Sequence, residues 1–370
     1  MNGFVDWLIG GPGSVAALAL ALMGVFQPIF HLSDFGCKIA AVVLIFGITA
    51  YNMVGVKLAS VVQNVSMIAK MVPVAIILLA ALFVGHVTPD LSFGSAGVYA
   101  AENNTSVFSM IALAVVASLW AYEGWTNLNT VAEEMKNPRK NLPLALIIGI
   151  GGVTILYTLF NFAIMKVLPH EEIAAMIDAG DLYLGTAVAK KLLGSAGAVV
   201  VTVGMVLAMF GSLNGLILAQ PRMYYAMAKE GHFFKSFTKL NKQKIPYVPI
   251  LVQAVISSAL VLLRNLSELT DMVVLCNLLF NVMIVLAVPI LRKKFPNIER
   301  PYKVWLYPVS IIFTAIVFVA LFVNSAIENP FLGSLGFIVP AIGAVVYLIF
   351  DRKLKKEAGE NKENGEANNG

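Results

Sequence analysis

The chain has 370 residues, of which 59% are hydrophobic and only 13% are charged, and its formal net charge is +5. Because soluble globular proteins carry about 25% charged residues, this composition argues against a soluble enzyme. The two cysteines, Cys37 and Cys276, form no CxxC or Cys/His cluster, which excludes a disulfide scaffold and a zinc site as the organising feature. We expect neither a metal nor another cofactor.

Windows almost free of charge divide the chain into ten apolar segments. Each supplies the roughly 18–25 residues that a membrane-spanning helix needs, and each is apolar around its whole circumference. None alternates polar and apolar residues as the strands of a membrane barrel do. We therefore predict an all-α, multi-pass membrane helix bundle with a single transmembrane domain over residues 1–350. Its predicted spans are about 8–31, 38–56, 61–84, 107–132, 143–166, 194–221, 246–263, 270–291, 304–325 and 331–350.

The two ends of the chain differ from the spans. Residues 1–6 lack the basic stretch of a signal peptide, and no cleavage signal separates them from the first span. Residues 351–370 are mostly Lys, Glu, Asn and Gly. Such a composition offers almost nothing to bury, so we predict that 351–370 form a disordered cytoplasmic tail.

The basic residues are concentrated in alternate loops. If residues 1–6 lie on one side of the membrane, that side receives 20 lysines and arginines, and the other side receives 5. Under the positive-inside rule this bias places both termini in the cytoplasm, and we predict a plasma-membrane location. Since membrane topology accounts for the basic loops, we predict no nucleic-acid partner.

One charged residue, Lys70, lies inside the third predicted span, in a nearly charge-free window over residues 58–89, at least 12 residues and so about 18 Å of helix from either end of that window. A lysine side chain of about 6 Å cannot reach the membrane surface from that depth. An ammonium there costs at least ~2.5 kcal/mol, so it needs a partner or a wet cavity. Lys70 is therefore either a packing residue bound to a carbonyl or a fixed cation in or beside an ion or substrate site.

A second charged residue, Glu123, lies in the fourth span, beside Gly124 and between Trp120 and Trp125. A glycine next to a charge is where a membrane helix can break and turn backbone groups toward a cavity. Discontinuous helices of this kind form the central site of secondary transporters. The alternative is that Glu123 is a structural acid near the cytoplasmic end of a continuous helix. A direct Lys70–Glu123 ion pair is also compatible with the sequence.

Several segments resemble one transporter family. Residues 120–129 (WAYEGWTNLN) and 131–143 (VAEEMKNPRKNLP) resemble the sixth helix and following loop of L-type amino acid transporters. These belong to the amino acid–polyamine–organocation superfamily, which includes bacterial serine/threonine exchangers. Residues 210–215 and 220–231 are similar to the family's eighth helix and its cytoplasmic exit, and residues 62–70 to its fifth helix. The resemblance covers essentially the whole chain and implies a LeuT-like inverted-repeat fold.

The resemblance also implies roles for individual residues. Backbone carbonyls near Trp120, Ala121 and Tyr122 would hold the α-ammonium of an amino acid. Trp120 would act as an aromatic gate, and Gly124 would permit the helix break. Lys70 would occupy the space that a sodium ion fills in sodium-coupled relatives. The implied site residues are Trp120, Ala121, Tyr122, Glu123 and Gly124 for the substrate, and Lys70 for coupling.

The resemblance implies twelve helices, of which the ten spans correspond to the third to the twelfth. The family's first helix, whose glycine-rich break binds the substrate carboxylate, has no counterpart here. We predict sodium-independent transport of amino acids, neutral L-amino acids in particular, by alternating access in a permease or exchanger. The alternative is an N-terminally truncated, transport-incompetent fragment or assembly partner of such a transporter.

Two further predictions concern chemistry and partners. A membrane transferase with Glu123 as general base would need a partnering His, Cys or metal cluster, and the sequence supplies none. We therefore predict that the protein is not an enzyme. Some relatives join a glycoprotein through a cysteine in the loop near Cys37, but the residues around Cys37 differ from that pattern. We expect an amino acid substrate and the lipid bilayer as partners, no disulfide-linked heavy chain, and a bacterial source.

Overall fold

The computed structural model of the protein describes residues 2–54, 65–66, 69–90, 106–122, 124–125, 135–180, 183–300 and 302–367. Most of these residues are helical, and no strand occurs among them. The helices, in chain order, are α1 Asn2–Val5, α2 Gly11–Phe30, α3 Asp34–Val54, α4 Met71–Val84, α5 Val107–Ala121, α6 Pro138–Met165, α7 His170–Asp178, α8 Leu184–Lys229, α9 Tyr247–Leu263, α10 Leu266–Lys294, α11 Val309–Glu328 and α12 Pro330–Ala367. The all-α fold class is thereby confirmed.

Each predicted span overlaps an apolar helix of the described residues, and the bounds of the spans stay predictions. Seven helices of the described residues are long and apolar enough to cross a membrane: Gly3–Phe30, α3, α6, α8, α10, α11 and the Gly333–Phe350 part of α12. Three shorter apolar helices, α4, α5 and α9, lie in the other predicted windows. A multi-pass membrane bundle follows from these helices, and the count of ten spans stays a prediction.

Local sequence explains where several helices begin and end. The Ser106 side chain accepts a hydrogen bond from the backbone N–H of Ser109 at 3.0 Å, which caps the start of α5. Pro138 occupies the first position of α6, where its missing N–H costs nothing. Gly194 adopts a φ of 68° inside α8, so this helix is kinked near its beginning. The helix α12 continues to Ala367, so the backbone is helical through most of the predicted tail.

The chain divides into two compact units, and the single-domain boundary at residue 350 stays a prediction. The first unit comprises Met1–Asn64, Met209–Phe280 and Ala326–Gly370. In it, α2, α3 and α9 pack on one another. Buried alanines of α2 allow this close packing, since small side chains let membrane helices approach. An aromatic cluster of Phe4, Trp7, Phe233 and Phe237 covers the fully buried Tyr224 of α8.

The second unit comprises Val65–Ala208 and Asn281–Ser325. Here α4 packs against α6. Their shared core includes Ile77, Ala81, Ala163 and Ile164. Beyond the end of α6, the Lys166 ammonium donates a hydrogen bond to the Leu82 carbonyl at 3.0 Å, near the end of α4. This unit contains the described residues of the predicted site.

Candidate functional site

The helix α5 ends close to Gly124, the residue expected to permit a helix break, and the break itself stays a prediction. This helix ends at Ala121, and the N–H of Tyr122 bonds back to the carbonyls of Leu119 and Trp120. Gly124 adopts a φ of 102°, a backbone conformation that side chains rarely permit. A helix end leaves carbonyls without partners inside the helix, so the last carbonyls of α5 need donors from beyond it.

A cavity of about 620 Å³ adjoins the end of α5. Its walls come from two helices of the second unit, α5 and α6. They are formed by Ser118, Ala121 and Tyr122 on one side and by Tyr157, Thr158, Asn161, Phe162 and Met165 on the other. Sites of this size, with mostly apolar walls and a few placed polar groups, are typical of small-molecule binding.

A tyrosine of α6 reaches the end of α5. The hydroxyl of Tyr157 donates a hydrogen bond to the carbonyl oxygen of Ala121 at 3.2 Å. The rings of Tyr122 and Tyr157 meet edge to face, with centroids 5.3 Å apart and planes at 79°. The terminal carbonyl of α5 and the ring that follows it are therefore both held by one side chain.

The other polar side chains of the cavity bond within their own helices. The Ser118 hydroxyl donates to the Ala114 carbonyl at 2.8 Å, and the Thr158 hydroxyl donates to the Thr154 carbonyl at 2.9 Å. The Asn161 amide donates to the Tyr157 carbonyl at 2.9 Å, which leaves the side-chain oxygen of Asn161 available as an acceptor. None of the described lining residues is charged.

The structure brings two of the predicted site residues, Ala121 and Tyr122, into the cavity wall. Trp120 is half-buried and Gly124 is exposed, and neither belongs to the lining. Glu123 lies outside the described residues. The substrate-binding roles of these residues stay predictions.

The sequence analysis did not predict the residues of α6 that line the cavity. Its signal was available, because Thr154, Tyr157, Thr158 and Asn161 recur at three- and four-residue spacing in an apolar window. Such spacing places polar groups on one face of a helix. A polar stripe on a membrane helix indicates a surface that faces protein or a wet cavity rather than lipid.

Lys70 immediately precedes α4 and is half-buried. Its backbone N–H bonds to the Ser66 carbonyl at 3.1 Å, as in a helical turn. No described carboxylate lies within ion-pair distance of its ammonium, and Lys70 is not part of the cavity lining. Its predicted coupling role stays a prediction. Within the described ranges, no group of three or more His, Cys, Asp or Glu side chains could hold a metal ion.

The sequence matches known transporters over almost its whole length. The amino acid permease family model matches residues 1–347. The chain is 31% identical over 309 residues to the serine/threonine exchanger SteT of Bacillus subtilis, a match that covers 83% of this chain and 68% of that protein. It is 29% identical to the rat b(0,+)-type amino acid transporter 1, over 92% of this chain and 68% of the relative.

A human amino acid transporter is also similar to this chain. The cystine/glutamate transporter is 28% identical, over 94% of this chain and 68% of that protein. The family match and these relatives confirm the predicted superfamily and the prediction that the protein is not an enzyme. The chain belongs to the amino acid permease family, within the amino acid–polyamine–organocation superfamily, and is a multi-pass membrane transporter of amino acids.

Proposed function

We propose that the protein is a sodium-independent permease or exchanger for neutral L-amino acids that works by alternating access. The observation that carries this proposal is the end of α5 beside a cavity whose described lining residues carry no charge. Carbonyls at a helix C-terminus carry partial negative charge and so attract an ammonium. Uncharged side chains along the described part of the wall suit a zwitterion whose side chain is neutral. The relative SteT of Bacillus subtilis is a serine/threonine exchanger, which is in keeping with such a substrate.

Exchange across a reconstituted membrane tests this proposal. Proteoliposomes that contain the purified chain are loaded with unlabelled L-serine, and entry of labelled neutral amino acids is measured in sodium or choline buffer. We expect saturable uptake that is equal in the two buffers. Uptake that requires sodium would contradict sodium independence. Absence of saturable uptake in either buffer would favour the transport-incompetent alternative.

We propose that Lys70 is the fixed cation that replaces a sodium ion. A lysine that is half-buried within a predicted span, with no described carboxylate partner, supports this role. Lys70→Ala is expected to abolish uptake or to make it depend on an added cation, since the positive charge is lost. Lys190→Ala removes an exposed lysine outside the predicted spans and serves as the matched control. Unchanged, sodium-independent uptake by Lys70→Ala would contradict the role.

We propose that both termini are cytoplasmic and that the protein resides in the plasma membrane of a bacterium. The basic-residue bias supports this orientation. Two ion pairs of the second unit also join residues predicted on the same side. Arg139 and Glu299, both predicted as cytoplasmic, form an ion pair at 2.9 Å, and Lys191 and Glu172, both predicted as external, form one at 2.6 Å.

Cysteine accessibility in intact cells tests the orientation. In a background of Cys37→Ser and Cys276→Ser, cysteine is introduced in place of Lys239 or of Lys190, both of which are exposed. A membrane-impermeant maleimide should label the Lys190→Cys variant in intact cells and the Lys239→Cys variant only after permeabilisation. The reverse pattern would invert the proposed topology.

We propose that no heavy chain is linked through Cys37. The side chain of Cys37 is only 6% exposed, which leaves its sulfur poorly accessible to another protein. The test is electrophoresis of the protein from its native membrane with and without reductant. A single unshifted band is expected, and a larger species that disappears in Cys37→Ser would contradict the proposal.

A further inference from the structure

The carbonyl of Ala121 is the acceptor of a hydrogen bond that joins α5 to α6. It belongs to the last residue of α5, and the last carbonyls of an α-helix have no partner within the helix. Partial negative charge collects at such a helix end, so the carbonyl requires a donor. That donor is the hydroxyl of Tyr157, from a residue 36 positions along the chain.

The bond between these groups is long. Its oxygen–oxygen distance is 3.2 Å, whereas O–H···O hydrogen bonds are usually about 2.7–2.8 Å. An ammonium forms shorter, charge-assisted bonds to the same type of acceptor, at about 2.7–2.9 Å and with roughly twice the strength. A ligand ammonium that enters the cavity therefore has the advantage over the phenol for this carbonyl.

A second acceptor belongs to a residue that lines the same cavity, Asn161. The side-chain nitrogen of Asn161 already donates to the Tyr157 carbonyl, which fixes the orientation of the amide. The side-chain oxygen of Asn161 remains available as an acceptor. Asn161 and Ala121 both line the cavity, one from each helix. Two neutral oxygens from opposite walls, with no described cation between them, form a pair of acceptors suited to a primary ammonium.

We propose that Tyr157 is an internal competitor for the substrate's ammonium and that Asn161 is an ammonium-binding residue of the same cavity. In the empty cavity the Tyr157 hydroxyl occupies the Ala121 carbonyl and ties α5 to α6. When an amino acid binds, its ammonium takes this carbonyl together with the Asn161 side-chain oxygen, and the phenol is released. This inference rests on the proposed function and adds the polar wall of α6 to it.

The competition has a chemical consequence for specificity. A ligand must break the hydrogen bond between the Tyr157 phenol and the Ala121 carbonyl before it can bond to that carbonyl. Only a charged donor forms a bond that is stronger than the one it breaks. Amino acids therefore bind, whereas an α-hydroxy acid of the same shape gains little. The phenol of Tyr157 thus weakens the binding of both kinds of ligand, and the charge-assisted bond of an α-amino group, which an α-hydroxyl group lacks, is what favours the amino acid.

Direct binding of L-serine to the purified full chain tests the proposal. Tyr157→Phe keeps the ring contact with Tyr122 but removes the competing hydroxyl, and we expect the Kd for L-serine to fall about fivefold. Asn161→Leu removes an acceptor for a charged donor, and we expect the Kd to rise at least about tenfold. Tyr51→Phe is the matched control, because the buried Tyr51 hydroxyl has no partner among the described residues.

The outcomes separate this inference from the proposed function. If the wild-type chain binds no neutral amino acid, the proposed function fails before any variant is compared. If the wild type binds L-serine and Tyr157→Phe binds it equally or more weakly, competition by Tyr157 is overturned. If Asn161→Leu binds as the wild type does, its role is overturned.

A second measurement does not depend on the folding of a variant. Fluorotyrosine is incorporated into the otherwise unchanged chain, and the ¹⁹F resonance of Tyr157 is followed during titration with L-serine. Release of the hydroxyl from Ala121 predicts a change in chemical shift that saturates with the same Kd as binding. A resonance that stays constant at saturating L-serine would overturn the proposed release.

Discussion

The side-chain amides of Asn52 and Asn214 meet inside the first unit, with the nitrogen of Asn52 3.0 Å from the oxygen of Asn214. Neither residue has measurable solvent exposure, and 162 positions separate them in the chain. The same Asn52 nitrogen also donates to the Ile48 carbonyl of its own helix at 2.9 Å. A polar bond of this kind fixes α3 against α8 because neither amide can turn to water.

This amide pair is expected to stabilise the protein. Asn52→Leu leaves the buried Asn214 oxygen without this donor, so the free energy of unfolding should fall by about 1–3 kcal/mol. The double variant Asn52→Leu/Asn214→Leu removes both partners and should lose less than the sum of the two single changes. Thermal and denaturant unfolding in detergent measures all four proteins. Additive losses would show that the two amides do not interact.

The close approach of α4 and α8 in the second unit depends on Gly204. A methyl group at this position would collide with the ring of Pro73, whereas one on Gly149 of α6 would meet nothing within 4 Å. Both replacements by alanine gain similar helix propensity, so their difference isolates the steric contact. We expect Gly204→Ala to lower stability by about 1–3 kcal/mol relative to Gly149→Ala. Equal melting temperatures would mean that the helices separate without cost.

The positive φ of Gly124 is a backbone conformation that favours glycine over any residue with a side chain. A side chain in this conformation costs about 1–3 kcal/mol, so Gly124→Ala should shift the chain that follows α5. We expect L-serine binding and uptake to fall more than melting temperature does, because Gly124 follows Tyr122, which lines the cavity, by two positions. Gly151→Ala, on an open face of α6, is the matched control. Wild-type binding by Gly124→Ala would argue against a required helix interruption.

Lys166 connects the ends of α4 and α6. Its ammonium bonds to the Leu82 carbonyl, and its own carbonyl accepts the Val87 N–H at 2.9 Å. A cation near a helix C-terminus stabilises it by about 0.3–1 kcal/mol, and by up to ~2 kcal/mol when partly buried. Lys166→Met keeps the apolar stem and should lose an amount in this range. Lys190→Met, at an exposed lysine, should leave unfolding unchanged, and equal effects of the two changes would contradict a capping role.

Much of the fold was predictable because membrane insertion depends on local composition. The cost of transferring a residue into lipid accumulates along a segment, so charge-free windows indicate helices whatever they pack against. The glycine beside Glu123 likewise marked the end of α5, because backbone freedom is a property of the residue itself. The windows around α4, α5 and α9 were predicted as longer spans than the helices described there.

Which helices contact one another could not be predicted from local composition. The sequence by itself determined which segments are apolar, which loops are basic and where a glycine permits a break. Only the tertiary structure decided that Tyr157 meets Ala121, that Asn52 meets Asn214 and that Gly204 lies against Pro73. The physical reason is that a helix that is apolar on every side has no polar face to determine which side packs against its neighbours. Its neighbours are chosen by side-chain shape and by a few polar bonds between residues distant in the chain.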